Sequence, residues 1–214
     1  TKTDDGRVLF AVPWHDKVVV GTTDTLMEHP VLEPVALEKE VEFILRTAGR
    51  YLSKQPTRED VMSVFAGLRP LAAPKKEGQS TKEISRSHKI IVSPHKLITI
   101  TGGKWTTYRK MAEDTVDKSM ELGLVPHREC VTEKYKIHGY RPNPDLTNHL
   151  YVYGSDRNAI EDLMKENPEM AQKLSPKYDY TVAEVVWAVR QEMARTVEDV
   201  LARRVRLLFL DARV

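Results

Sequence analysis

Leu97-Ile-Thr-Ile-Thr-Gly-Gly-Lys-Trp-Thr-Thr-Tyr-Arg-Lys110 is the stretch on which the reading of the fold turns. The unbroken apolar or β-branched run from Leu97 to Thr101 predicts a strand buried on both faces. Gly102 and Gly103 end it. From Trp105 onward the period changes, with Trp105, Tyr108, Ala112, Val116 and Met120 recurring at the three- and four-residue steps of a helix. A strand thus passes into a helix through a glycine pair.

Glycines let a backbone approach a ligand closely, and the first N–H groups of a helix have no partner within it. Such a start attracts negative charge. Lys104 adds a full positive charge at the same place. A phosphate, a carboxylate or a reduced flavin ring would each suit it, while Gly-Gly chosen for packing alone explains the local pattern equally well. The spacing matches neither common phosphate-binding glycine fingerprint.

A chain of 214 residues, 41% of them hydrophobic, can bury a proper core in one or two domains. Its 33 basic and 31 acidic residues leave a net charge of +2, which gives no general attraction to nucleic acid or acidic lipid. Cys130 is the single cysteine, so no internal disulfide can form and a reducing compartment is expected. No apolar run approaches the ~20 residues that cross a bilayer. The polar start at Thr1-Lys-Thr-Asp-Asp-Gly6 has no signal-peptide pattern. Thr1 in place of an initiating methionine, close to the first strand, leads to the expectation of a piece of a longer protein.

Val8 to Val12 and Lys17 to Gly21 are apolar runs around the turn-forming Pro13-Trp-His-Asp16, which predicts a hairpin with His15 in a solvated turn. Gly21-Thr-Thr-Asp24 then offers small hydroxyls to a ligand, or to its own backbone. Helical spacing of Leu37, Val41, Ile44, Leu45, Ala48 and Leu52 predicts an amphipathic helix over 36–52. A strand with two apolar faces is expected over 61–71, stopped around Arg69 by Gly67 and Pro70. The planar fork of Arg69 suits a carboxylate or phosphate, or a structural ion pair with a neighbouring acid. Residues 72–82 read as a surface loop. Glu83 to Val92 resumes strand character, with Arg86 and His88 on one side. Arg69, Arg86 and Lys104 thus fall at strand ends or turns of what reads as one sheet, and together would make an anion pocket.

After Gly123 the texture changes. A proline-bearing linker runs from Leu124 to about Asn148, with a short strand candidate over 133–137, and the rest reads as helices. One spans Asp156 to Glu166. Thr181-Val-Ala-Glu184 is a capping box opening a second, with Val182, Val185, Val186, Val189 and Met193 on one face. Thr196-Val-Glu-Asp199 opens a third, with Val197, Val200, Leu201, Val205 and Leu208 inward. Arg203, Arg204 and Arg206 are expected on its solvated back. No repeat, no Cys/His ligand spacing, no Gly-x-Ser-x-Gly and no Gly-x-Gly-x-x-Gly is found, which disfavours metal and acyl-transfer chemistry.

Six motifs together are more specific than any one: Phe10-Ala-Val-Pro-Trp14, Gly21-Thr-Thr-Asp24, Phe65-Ala-Gly-Leu-Arg-Pro-Leu71, Ser80-Thr-Lys-Glu-Ile-Ser-Arg86, Thr101-Gly-Gly-Lys-Trp-Thr-Thr-Tyr-Arg-Lys-Met-Ala112 and Ala194 to Arg204. In order and spacing they resemble the carboxyl-terminal portion of FAD-dependent glycerol-3-phosphate dehydrogenase, over nearly the whole chain. The resemblance implies an α+β chain. Residues 1–123 would hold the remnant of an antiparallel-sheet substrate domain plus the last strand and helix of an FAD domain, and 124–214 an all-α carboxyl-terminal domain.

It further implies oxidation of glycerol 3-phosphate to dihydroxyacetone phosphate, with FAD as cofactor and a membrane quinone as electron acceptor. Arg69, Arg86 and Lys104 would bind substrate, Lys104 also serving as the catalytic residue. Gly102, Gly103, Thr106 and Thr107 would bring the helix start to the pyrimidine edge of FAD. No metal and no nucleic acid are implied, the location would be cytoplasmic and peripheral on the inner membrane, and a homodimer is left open. The chain departs from the family in lacking the Gly-rich unit that grips the ADP half of FAD. That amino-terminal FAD domain becomes an expected partner, the chain alone is expected to be inactive, and no general base is assigned. The alternatives are a glycerol-3-phosphate oxidase using oxygen, or a free-standing anion-binding module.

Overall fold

The computed structural model describes residues 3, 6, 8–69 and 87–214. Helices and two small antiparallel sheets make it an α+β structure. Its contacts define two compact units, each discontinuous in sequence.

The first unit comprises residues 1–23, 35–66 and 137–214. Strands β1 (Phe10–Trp14) and β2 (Lys17–Gly21) pair from Phe10↔Gly21 to Trp14↔Lys17. Only His15 and Asp16 remain for the turn, and both have positive φ, at 46° and 65°. That is the backbone twist a two-residue hairpin loop requires, and His15 serves it. Helix α1 (Glu38–Gly49) buries Val41, Thr47 and Ala48.

Residues 61–69 form no strand. Its first part, residues 61–66, lies along the chain's last residues instead of a strand partner. Met62 O accepts from Ala212 N at 3.0 Å, Ser63 Oγ donates to Leu208 O at 2.8 Å, and Phe65 meets Phe209 with ring centroids 4.7 Å apart. Side-chain and carbonyl partners outside any ladder thus override an alternating pattern that reads as β.

Helices α3 (Arg157–Glu166) and α4 (Val182–Gln191) pack around Leu150, Ile160 and Ala183, with Tyr153, Leu163, Met164 and Trp187 alongside. A second cluster joins Ala188, Ala194, Val200, Val205 and Leu207. The buried face of α4 is rotated from the valine stripe, since Ala183, Glu184 and Ala188 go in while Val189 and Met193 are exposed. Small residues let the helices approach closely, and the Glu184 carboxylate is fully bonded where it lies. Beyond Thr196 the helix is not regular. Residues Asp199–Arg204 make a wide turn closed by Val205 N→Val200 O, and Arg206 at φ 58° ends it before the short α5 (Leu207–Leu210). Val197 and Leu208 are accordingly exposed. Arg203 and Arg204 are paired, Arg203 with Glu198 and Asp199, and Arg204 with the carbonyl and carboxylate of Glu192.

The second unit comprises residues 24–34 and 67–136. Strands β3 (Lys89–Val92) and β4 (Ile98–Thr101) form a hairpin in register from Lys89↔Thr101 to Val92↔Ile98. The turn is closed by Ser93 N→Leu97 O at 2.9 Å. Helix α2 (Tyr108–Glu121) follows a 3₁₀ turn over Trp105–Thr107 and packs back on β4. Residues 133–137 are not a strand, because Glu133 is drawn to Arg109 and Tyr135 and Ile137 stand exposed.

The strand expected to be buried on both faces is half of a two-stranded hairpin, with Leu97 and Thr99 exposed. The apolar stripe expected to bury α2 is equally open: Trp105 is 84% exposed, Tyr108 52% and Val116 54%. An open apolar depression of about 410 Å³ between β4 and α2 is lined by Ile100, Met111, Ala112, Thr115 and Val116.

Candidate functional site

The strand-to-helix turn is built as its glycines suggest. Gly102 and Gly103 both have positive φ, 75° and 81°, the left-handed region that a Cβ penalises. Two such residues in succession reverse the chain from β4 into the helix start. Lys104 follows in extended conformation, with its side chain exposed, as the residue preceding the first helical turn. Thr107 closes that turn on Lys104: Thr107 N donates to Lys104 O at 3.0 Å, Thr107 Oγ1 donates to the same carbonyl at 3.0 Å, and Lys104 N reaches Thr107 Oγ1 at 3.4 Å. Thr107 is therefore a turn-closing residue, whereas Thr106 is exposed at the helix start.

The turn is braced from behind. A Cβ added to Gly103 would lie 2.5 Å from Met111 Sδ and 3.3 Å from His88 Cβ, so both side chains press on the hinge. His88 Nε2 meets Asp114 Oδ2 at 2.8 Å, tying the residue before β3 to α2. Asp114 Oδ1 also meets Lys110 Nζ at 2.9 Å, and Lys110 reaches Glu113 at 3.0 Å. Arg109 adds Glu113 at 2.6 Å and Thr132 at 3.0 Å. Lys110, then His88, hold the Asp114 carboxyl below its usual range, and Lys110, then Arg109, do the same for Glu113. Asp114 and Glu113 together raise the Lys110 ammonium. Sequence placed His88 beside Arg86 but could not reveal Asp114, whose only signal is its four-residue step from Lys110.

Arg69 lies at the end of the extended segment, in the second unit with Lys104. Neither it nor Lys104 belongs to a strand. Arg69 Nη1 meets Asp24 Oδ2 at 3.4 Å. Arg86 lies outside the described residues, as do Pro70 and the loop over 72–82.

The family described as the C-terminal domain of alpha-glycerophosphate oxidase matches residues 96–214, from the turn before β4 to the last residue. The chain belongs to that family. It is similar to a probable mitochondrial glycerol-3-phosphate dehydrogenase of Caenorhabditis elegans, 41% identical over 98% of the chain and 32% of the relative. It is also similar to the mitochondrial glycerol-3-phosphate dehydrogenase of Saccharomyces cerevisiae, 34% identical over 99% of the chain and 40% of the relative. The mitochondrial glycerol-3-phosphate dehydrogenase SDP6 of Arabidopsis thaliana is 36% identical over 98% of the chain and 38% of the relative. The chain therefore spans well under half the length of these relatives.

Proposed function

We propose that the whole protein of which this chain is part oxidises glycerol 3-phosphate to dihydroxyacetone phosphate, and that this chain supplies the cationic side of the active site. The observation that carries the reading is the Gly102-Gly103-Lys104 turn, two left-handed glycines delivering a lysine to a helix start. Its donor chemistry fits an anionic ring edge or phosphate: an exposed ammonium beside first-turn N–H groups with no partner inside the helix. FAD, when bound, supplies the hydride acceptor.

In this reading the Gly102 and Gly103 backbone, Thr106 and Thr107 hold the helix start against the cofactor. Lys104 lies between cofactor and substrate, where its positive charge favours the oxyanion that develops as the carbinol loses its proton. Arg69 and Arg86 hold the phosphate and hydroxyls through charge-assisted bonds. Residues 1–123 furnish this region and 124–214 a helical domain. A membrane quinone takes the electrons at a peripheral attachment to an inner membrane; among the described residues no helix is long and apolar enough to cross one. The family's description names an oxidase, which favours oxygen as a second reading of the acceptor. Peroxide formed in step with substrate oxidation separates the two.

The central test is Lys104→Met in the full-length protein. Dye-linked oxidation of glycerol 3-phosphate should fall by about two to three orders of magnitude, the size of losing one preorganised charge-stabilising donor, with FAD retained. Activity within twofold of the unaltered protein would remove Lys104 from the chemistry.

A further inference from the structure

Arg69 meets the carboxylate of Asp24 at 3.4 Å. The side chains are 43% and 24% exposed. A long, partly exposed ion pair contributes little to stability, so stability is a weak reason for this carboxylate to be here. Geometry offers a better one. A guanidinium has five N–H donors in a rigid fork, and a contact at Nη1 occupies one corner of it. A second anion would use the other donors of the fork, while the first contact restrains its swing through its rotamers. Asp24 also ends the Gly21-Thr-Thr-Asp motif, just beyond Gly21, the last residue of β2.

We propose that Asp24 is a positioning residue for the substrate: it anchors one corner of Arg69 so that the remaining donors face the phosphate of glycerol 3-phosphate in a fixed orientation. This rests on the reading of Arg69 as a substrate arginine. Pre-ordering a long side chain lowers the cost of binding, because the rotamer freedom is already lost before the ligand arrives. Asp24 acts on binding alone and leaves the chemical step untouched.

The experiment is a double-mutant cycle in the full-length enzyme, with KM and kcat for glycerol 3-phosphate and the inhibition constant of inorganic phosphate as readouts. Asp24→Asn keeps the shape and removes the charge. KM and the phosphate constant should both rise about three- to tenfold, the effect of one side chain no longer pre-ordered, with kcat within twofold. Arg69→Ala should raise KM more, by roughly tenfold or above, and adding Asp24→Asn to it should change nothing further. Asp24→Glu should recover part of the loss. If Arg69→Ala raises KM while Asp24→Asn does not, or if the two effects add, the positioning role is wrong and Arg69 stands. If Arg69→Ala leaves KM unchanged, the underlying reading of Arg69 fails instead. Thermal melting of each variant identifies a folding defect, and a KM effect of Asp24→Asn that tracks lost folding also overturns the proposal.

Discussion

Gly154 shows how much one residue can carry without announcing itself. Its backbone at φ 55° and ψ −120° is open to glycine, and a Cβ there would stand 1.7 Å from the carbonyl oxygen of Gly139 and 2.8 Å from its carbon. Both are backbone atoms, and Ser155 N holds the same oxygen at 3.1 Å, so the neighbour cannot turn aside. Gly154→Ala should therefore destabilise by about 3 kcal/mol or more, adding overpacking to left-handed strain, read from the urea midpoint. Gly103→Ala is the instructive contrast. Its φ is 81°, but the colliding atoms belong to the flexible end of Met111, which can move. That change should cost only about 1–2 kcal/mol of backbone strain, while displacing Lys104. The pairing of Gly139 with Gly154 was illegible in the sequence because it joins a linker position that carries no periodic signal to a residue in the turn before α3. The Gly-Gly-Lys turn was legible because a change of period marks its place.

At the scale of elements, what could be read was local and what could not was decided by partners. The Thr181–Glu184 capping box opens α4 as its spacing says, with Thr181 N donating to Glu184 Oε2 at 2.7 Å. The carboxylate does more than cap. It is 1% exposed, and it also meets His149 Nε2 at 3.0 Å and accepts from Tyr153 OH at 3.2 Å, fastening α4 to the turn before α3. Glu184→Ala should cost about 3 kcal/mol, since it strands three polar partners, and loss of far more stability than Thr181→Ala would separate the fastening from the cap. Asp199 is the half-buried counterpart. Backbone N–H groups of Arg195 and then Thr196 hold its carboxyl below the ordinary range. A folded-state value below the unfolded one means a contribution present in full above about pH 4 and lost as pH falls through the folded value. The stability difference between the unaltered chain and Asp199→Asn should stay constant from neutral pH down to about pH 5 and shrink below about pH 4. The strand expected over 61–71 failed over its described residues 61–69 for the opposite reason, because Ala212, Leu208 and Phe209 took groups of Met62, Ser63 and Phe65 from 140 or more residues away.

On the scale of the whole molecule, the open faces are the informative feature. A strand and helix whose apolar residues point outward have the composition of buried elements without the burial: Ile100, Ala112 and Val116 line a depression, and Trp105 stacks on Tyr108 at 5.3 Å in the open. The sequence therefore revealed the apolar residues of this face but not their exposure. Relatives roughly three times as long supply the reason to expect a cover over this face in the whole protein. This expectation can be separated from mere surface hydrophobicity by one substitution measured twice. Val116→Glu in the 214-residue chain places a charge on an already exposed position and should change unfolding free energy by no more than about 0.5 kcal/mol. In the full-length protein the same glutamate would be pressed against an apolar partner, and burying it unpaired should cost several kcal/mol and lower the melting temperature. An equally small effect in both would mean that water covers this face in the whole protein too.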